Sequence, residues 1–168
     1  MSAALDEQTQ SADDRHESLR LWLRLLTCSN LIQSRVRKAL AARFKTTLPR
    51  FDLLAQLHRA PEGLQMGELS RRMLVTGGNV TGIVDQLERA GLIVRAADPA
   101  DRRAYQVKMT AEGRRLFARM AAEHESWIVT LFGGMGIREQ RTLNESLTRL
   151  GAQIARTGLP KAEAKGKK

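Results

Sequence analysis

Hydrophobic residues recur every three or four positions over more than 20 residues in the first part of the chain, as on one face of a helix. They are Leu19, Trp22, Leu23, Leu26, Ile32, Val36 and Leu40. The pattern predicts a long amphipathic helix that begins at Leu19 and ends near Phe44. Residues 1–18 are polar, mostly acidic and without apolar periodicity, which is typical of a flexible tail.

Three shorter helical patterns follow. A second helix is predicted from about Thr47, a good N-cap residue, to the helix-breaking segment 61–63. A short third helix is predicted over residues 67–74. A fourth is predicted to begin at Thr76, and its buried face lies at i, i+3, i+4 and i+7, namely Val80, Ile83, Val84 and Leu87. Two such helices joined by a short turn are typical of a helix-turn-helix.

Two β-prone segments, 92–95 and 105–109, come after Gly91, a residue that suits a helix C-terminus. Between them, residues 97–104 are rich in turn-forming and charged residues, which predicts a β-hairpin with a basic loop. Thr110 is predicted to cap a fifth helix, and a sixth is predicted to begin at about Arg138. The order helix, turn, helix, hairpin indicates a mainly α fold with a small β-hairpin, a winged helix-turn-helix.

The charge of the chain indicates a partner for this fold. It has 28 Lys and Arg against 18 Asp and Glu, a formal net charge of +10. Clustered basic residues bind polyanions by neutralising phosphates, and the alternative is a basic protein with no such partner. No apolar run approaches the roughly 20 residues that span a bilayer, and residues 1–18 are unlike a secretory signal peptide. We therefore expect a cytoplasmic protein with no membrane partner.

The residue types that carry catalysis or bind metals show no spacing that supports either. A single cysteine, Cys28, excludes an internal disulfide framework and a multi-cysteine zinc site. His16, His58 and His124 have no metal-ligand spacing and are expected to be ordinary surface or core residues. Neither a nucleophile motif nor a pair of catalytic carboxylates is apparent. We expect a binding protein rather than an enzyme, with no metal or cofactor.

Three glycines, at positions 77, 78 and 82, lie where the fourth helix begins, although a glycine inside a helix costs about 1 kcal/mol relative to alanine. At 100° per residue, Gly78 and Gly82 fall opposite the apolar face, one turn apart. Bare backbone at these positions lets the helix approach a DNA groove closely, and amides at a helix N-terminus bind phosphate oxygens. The alternative is a loop or a tight packing contact between helices.

Polar side chains beside these glycines are the candidates for contacts with bases. Asparagine at position 79 suits adenine, and the threonine at position 81 suits a hydrogen bond or the methyl group of thymine. The full set on this segment is Thr76, Gly78, Asn79, Thr81 and Gln86.

No Lys or Arg occurs from Thr76 through Glu88, so electrostatic affinity must come from other segments. The candidates for phosphate and minor-groove contacts are Arg71, Arg72, Arg95, Arg102 and Arg103. Asp101 is placed to hold one wing guanidinium in a fixed direction, and the alternative is a set of solvated arginines.

These segments resemble the MarR family of bacterial transcription regulators. The resemblance rests on GLIVR at 91–95, DPADRRA at 98–104, VKMTAEG at 107–113 and TLPRF at 47–51. It extends from about Leu19 to Ile154. It implies a homodimer in which the first, fifth and sixth helices interlock, and in which two winged lobes bind a pseudo-palindromic site on double-stranded DNA.

The resemblance also implies roles by position. Asp101 orients Arg103, which enters the minor groove, and Arg102 assists. The start of the fourth helix matches the family's recognition helix, although its glycine content departs from the family pattern. The implied division is a flexible acidic tail at 1–18, a dimerisation helix at 19–46, a DNA-binding lobe at 47–110, C-terminal dimerisation helices at 111–157 and a flexible basic tail at 158–168.

A small effector, often a phenolic or aromatic acid, is a further implication of the resemblance. Residues 48–87 are most similar to a subgroup that controls catabolism of aromatic acids, some of whose members respond to acyl-CoA thioesters such as hydroxycinnamoyl-CoA. Repression relieved by the effector is the expectation. The implied candidates for thioester phosphates and for pocket walls are Arg20, Arg24, Arg35, Arg37, Trp22 and Trp127. The alternative is a solvated basic face and two tryptophans in the core or a dimer contact.

Cys28 leaves a redox-sensing regulator open as an alternative. Some MarR relatives sense peroxides through a cysteine near the start of the first helix. Cys28 falls more than one turn later, and the only tyrosine, Tyr105, leaves it without the tyrosines that accompany that cysteine. We therefore expect a buried or half-buried bystander. A non-specific nucleic-acid-binding protein is another alternative, and an enzyme acting on aromatic thioesters is the most remote.

Overall fold

A computed structural model of the chain describes residues 2–73, 77–97 and 105–158, with the backbone alone for 2–15 and 77–79. Within these residues the helices are α1 (Ser2–Phe44), α2 (Leu48–His58), α3 (Met66–Arg72), α4 (Gly77–Arg89), α5 (Ala111–Phe132) and α6 (Ile137–Ile154). The strands are β1 (Leu64–Gln65), β2 (Ile93–Ala97) and β3 (Tyr105–Met109). The predicted mainly α fold with a winged helix-turn-helix is confirmed.

The first helix differs from its prediction at one end. It stops at Phe44 as predicted, but it begins at Ser2 rather than Leu19, so the segment expected to be a flexible tail has helical backbone. Residues 2–44 contain no glycine or proline, and the acidic segment is rich in Ala, Glu and Gln, which are good helix formers. Helical propensity therefore extends beyond the apolar stripe. Lys45, with φ of 52°, ends the helix in the left-handed region.

The predicted hairpin is confirmed and belongs to a three-stranded antiparallel sheet. Strand β3 lies between β1 and β2, with Leu64 opposite Val107 and Ile93 opposite Met109. Gly63 turns the chain from α2 into β1 at a φ of 98°. A Cβ at this glycine would lie 2.6 Å from Lys108 Cγ, so the turn packs directly against β3.

The winged lobe has a core to which every element of residues 36–120 contributes. Its fully buried side chains come from α1, α2, α3, α4, β2, β3 and α5 and are Leu40, Leu53, Leu54, Leu57, Leu69, Val80, Val84, Leu87, Ile93, Val107 and Met120. The predicted apolar face of the fourth helix is confirmed, because its four residues are at most 5% exposed. This face fixes which side of α4 points outward.

Two sets of hydrogen bonds fix the end of α4 and the start of α5. Gly91, at a φ of 69°, ends α4 with the hydrogen bonds of a Schellman motif: Leu92 N–H donates to Leu87 O at 3.0 Å and Gly91 N–H to Glu88 O at 2.9 Å. Thr110 caps α5 as predicted, since its Oγ1 accepts from Gly113 N–H at 2.9 Å. The same hydroxyl donates to Gly91 O at 2.8 Å, so one side chain joins both helix ends.

Residues 128–168 form a second unit, separate from residues 1–127. Helix α6 begins one residue before its predicted start, and Glu139 Oε2 accepts from Gly136 N–H at 2.7 Å. Gln140 Nε2 donates to Phe132 O at 3.2 Å and to Met135 O at 3.0 Å, which secures the turn before α6. Among the described residues, no helix is both long and apolar enough to cross a membrane.

Candidate nucleic-acid interface

The outward side of α4 has the open backbone that the glycine pattern predicted. A Cβ built on Gly82 would meet no heavy atom within 4 Å, so no packing contact requires glycine at this position. Thr81 and Gln86 are exposed beside it. Gly78 and Asn79 lie in the first turn of α4, and Thr76 lies outside the described residues. The glycines are thus in a helix rather than a loop, and the packing alternative does not apply to Gly82.

Two arginines of the preceding helix are exposed and share one carboxylate. Arg71 and Arg72 occupy the last turn of α3, with the Arg71 side chain 78% exposed. Arg71 lies 2.6 Å from Glu68 Oε2, and Arg72 Nε donates to Glu68 Oε1 at 2.7 Å. The hydrogen bond from Arg72 and the charges of both arginines hold the pKa of Glu68 below its ordinary value. Both guanidinium groups are therefore oriented at the surface by an ionised carboxylate.

Arg95 is placed differently from the expectation that it contacts phosphate. Its guanidinium pairs with Asp85 and Glu88 on α4, and its backbone N–H donates to Glu88 Oε1 at 3.1 Å. The hydrogen bond with Asp85 raises the pKa of Arg95 above its ordinary value. Strand β2 runs beside the C-terminal half of α4, which brings the arginine to the two carboxylates. The donors of Arg95 are thus directed to its own chain.

The wing loop itself is not described by the structure. Asp101, Arg102 and Arg103 lie in segment 98–104, outside the described residues. Ala97 and Tyr105, the residues on either side of that segment, lie opposite each other in the β2–β3 ladder. The wing thus starts from a closed hairpin base next to α4.

The candidate effector arginines on α1 do not form one group. All four are exposed, and Arg20 pairs with Glu17 at 2.7 Å. At 100° per residue, Arg20, Arg24 and Arg35 lie within about 60° of one another around the helix, whereas Arg37 lies on roughly the opposite side. Three of the predicted residues therefore share a basic face.

The two candidate pocket tryptophans are not brought together within one chain. Trp22 is 56% exposed on α1. Trp127 contacts Phe44, with ring centroids 6.4 Å apart. Phe44 is 22 residues beyond Trp22 on the same helix, a separation of roughly 33 Å at 1.5 Å per residue.

Trp127 belongs instead to a chain of rings that the sequence pattern did not indicate. The rings follow one another with centroids 4.9–6.5 Å apart, in the order Trp127, His124, Phe51, Phe117 and His58. Burial holds the pKa of His124 below its ordinary value. The spacing of positions 117, 124 and 127 on one face of α5 was the available signal, although it does not show that α2 supplies the other rings.

The expectation that Cys28 is buried or half-buried was wrong. Cys28 is exposed on α1. It lies about 80° around the helix from Val36 and about 120° from Leu40, the two α1 residues that enter the core. None of the described α1 side chains before Val36 is buried, because only the last turns of the helix pack on the winged lobe.

Comparison with known proteins identifies a family to which this chain is similar. Residues 44–104 match the family model described as MarR family. The chain is 32% identical to the transcriptional activatory protein BadR of Rhodopseudomonas palustris, over 67% of this chain and 66% of the relative, just under two thirds. It is 31% identical to the HTH-type transcriptional regulator TtmR of Methylorubrum extorquens, over 77% of this chain and 67% of TtmR.

Among solved structures, the chain is similar to CouR from Rhodococcus jostii RHA1 bound to p-coumaroyl-CoA. The TM-score is 0.71 and the identity 25%, over 83% of this chain and 95% of that one. A match over this share of the chain extends beyond the winged lobe.

Proposed function

Because the chain belongs to the MarR family of transcriptional regulators, we propose that it is a homodimeric repressor that binds a pseudo-palindromic operator. We propose further that a small aromatic acid or its CoA thioester releases it. The observation that carries the DNA-binding part is the outward side of α4. It combines exposed polar side chains with a helical glycine that no internal contact requires.

Each region has a role in this proposal. The α4 surface around Thr81, Gly82 and Gln86 enters the major groove and contacts base edges. Arg71 and Arg72 bind the phosphate backbone, and the wing arginines Arg102 and Arg103 reach the minor groove with Asp101 orienting Arg103. Gly78, Asn79 and Thr76 bring the helix N-terminus to a phosphate or a base.

The homodimer is supported by exposed apolar side chains outside the winged lobe. On α1 these include Leu19, Trp22, Leu23 and Leu26, each at least 40% exposed. In the second unit they are Val129, Leu131, Ile137, Leu143, Leu147 and Ile154. Exposed groups of large apolar side chains are typical of protein interfaces. We therefore propose that the segments 19–46 and 111–157 supply the dimer contact.

The effector class is proposed from two observations. CouR, which is similar to this chain, was solved with p-coumaroyl-CoA. The ring chain between α2 and α5 is buried at Phe51 and Phe117 but only half-buried at His124 and Trp127, and that outer end offers aromatic surface of the kind that a phenolic ring packs against. Arg20, Arg24 and Arg35 supply a basic face for CoA phosphates, whereas Arg37 lies on roughly the opposite side of α1.

The effector part is tested by adding a panel of aromatic acids and their CoA thioesters to the protein bound to its own promoter DNA. We expect at least one aromatic thioester or acid to lower the affinity for DNA by roughly 5- to 150-fold, the usual range of allosteric coupling. Free CoA and acetyl-CoA serve as controls. Release by peroxide, lost on Cys28→Ser, would support the redox alternative instead, and no release by any aromatic compound would contradict the proposed effector class.

Gly82→Ala is expected to change stability and DNA binding in opposite directions. Alanine is favoured over glycine inside a helix by about 1 kcal/mol, and nothing in the structure meets the added methyl group, so the free energy of unfolding should rise. The same methyl group should hold the helix away from DNA and weaken operator binding. Thermal unfolding and a DNA titration of the one variant measure both. Gly67→Ala on α3, also open within 4 Å, is the matched control, and equal operator affinity for Gly82→Ala and the wild type would contradict close approach at Gly82.

A further inference from the structure

The proposed recognition helix, α4, is negatively charged over most of its length, although DNA is itself a polyanion. From Gly77 through Glu88 it contains two carboxylates, Asp85 and Glu88, and no Lys or Arg. Asp85 is on the outward side with Gly82, and its side chain is 46% exposed. Carboxylates this close to a groove face DNA phosphates, and like charges brought together at an interface oppose binding.

The structure supplies a counter-charge from outside the helix. Arg95 of β2 donates through Nη2 to Asp85 Oδ1 and through Nη1 to Glu88 Oε2. Its backbone N–H also donates to Glu88 Oε1 at 3.1 Å. The Arg95 side chain is 28% exposed, less than either carboxylate, so it lies beneath them rather than projecting toward a ligand.

We propose that Arg95 acts in DNA binding without contacting DNA: it neutralises the acidic side of α4. The inference rests on the DNA-binding function proposed above. One guanidinium group neutralises both carboxylates, because it reaches from a strand of the wing to two residues on successive turns of the helix. Arg95 thus makes a contact within its own chain rather than a contact with phosphate.

Three variants of this cluster separate shielding from the other roles that an arginine at this position has. Arg95→Met leaves two uncompensated carboxylates beside the DNA, so affinity for the operator should fall by roughly tenfold or more. Adding Asp85→Asn and Glu88→Gln to that variant removes the uncompensated charges, so affinity should return to within a few-fold of the wild type. If Arg95 instead contacts phosphate directly, adding Asp85→Asn and Glu88→Gln will not restore the affinity lost in Arg95→Met. That result would overturn the proposal.

The double variant Asp85→Asn with Glu88→Gln, in which Arg95 is retained, keeps the test valid if Arg95→Met does not fold. Shielding predicts operator affinity at least equal to that of the wild type, because the groups removed only repel DNA. Weaker binding by this folded double variant would overturn the proposal.

A matched control and the wild type complete the experiment. Arg59→Met removes an exposed arginine at the end of α2, a position to which no contact with DNA or with a second subunit is assigned, and it should leave operator affinity unchanged. Affinities are measured by fluorescence anisotropy at one salt concentration, and folding by thermal unfolding. A wild-type protein with no preference for its operator would overturn the proposed function and this inference together, whereas failure of the variants alone would overturn only the role of Arg95.

Discussion

Gly113→Ala is expected to destabilise the protein strongly. A Cβ at this position would lie 2.0 Å from Leu92 O and 2.9 Å from Leu92 C. That carbonyl oxygen also accepts the hydrogen bond from Thr110 N–H at 3.0 Å. It therefore cannot move aside without breaking this hydrogen bond, which lies between β3 and α5. Overpacking of a core usually costs about 1–3 kcal/mol, and a clash with fixed backbone belongs at or above the upper end of that range.

The measurement is thermal unfolding followed by circular dichroism. A loss of about 3 kcal/mol corresponds to a fall in Tm of roughly 6–12 °C for a chain of this size. Gly67→Ala, in which the added methyl group meets nothing within 4 Å, is the control and should leave Tm unchanged or raise it. A Tm for Gly113→Ala within about 2 °C of the wild type would contradict the packing described at Gly113.

Arg103→Ala is expected to weaken operator binding by roughly 5- to 150-fold, equivalent to about 1–3 kcal/mol, while leaving a folded dimer. Arg103 lies outside the described residues, and the expectation comes from its place in the wing motif and from the hairpin base at Ala97 and Tyr105 that directs the loop. An arginine in a narrow minor groove is attracted by the negative potential there. The loss should be larger for the operator than for scrambled duplex.

Two further variants check that assignment by fluorescence anisotropy. Arg102→Ala should weaken binding less, because the proposed minor-groove contact is made by Arg103. Asp101→Asn should weaken binding without removing a positive charge, because it releases the orientation of Arg103. Undiminished binding by Arg103→Ala would rule out the wing contact and leave Arg71 and Arg72 as the sources of electrostatic affinity.

The parts of this fold that were predictable from the sequence are those fixed by local patterns. The four apolar positions of α4 define a helix face by periodicity alone, and β2 and β3 were indicated by two β-prone runs around a turn-rich segment. Thr110 and Gly91 are residue types that favour helix ends, so the start of α5 and the end of α4 were also predictable. Strand β1 was missed because a strand of two residues has no periodicity, and the start of α1 was missed because helix propensity continues where the apolar stripe stops.

The candidate site was less predictable because tertiary contacts decide it. Arg95 was expected at a phosphate, yet its partners lie 7 and 10 residues earlier on a different element, and no sequence spacing reveals that pairing. The ring chain depends similarly on α2 meeting α5. Cys28 was misplaced because burial on α1 is limited to the turns that pack on the lobe, which the repeating apolar stripe does not show.

The most direct test of the central claim is a binding titration with three labelled nucleic acids at one fixed, near-physiological salt concentration. They are duplex DNA from the promoter beside this gene, a scrambled duplex of the same length and composition, and RNA of matched length. A sequence-specific dimer should bind the promoter roughly 10³-fold or more tightly than the scrambled duplex, and it should protect two half-sites about one helical turn apart. Equal affinity for promoter, scrambled duplex and RNA would contradict the account and indicate a non-specific nucleic-acid-binding protein.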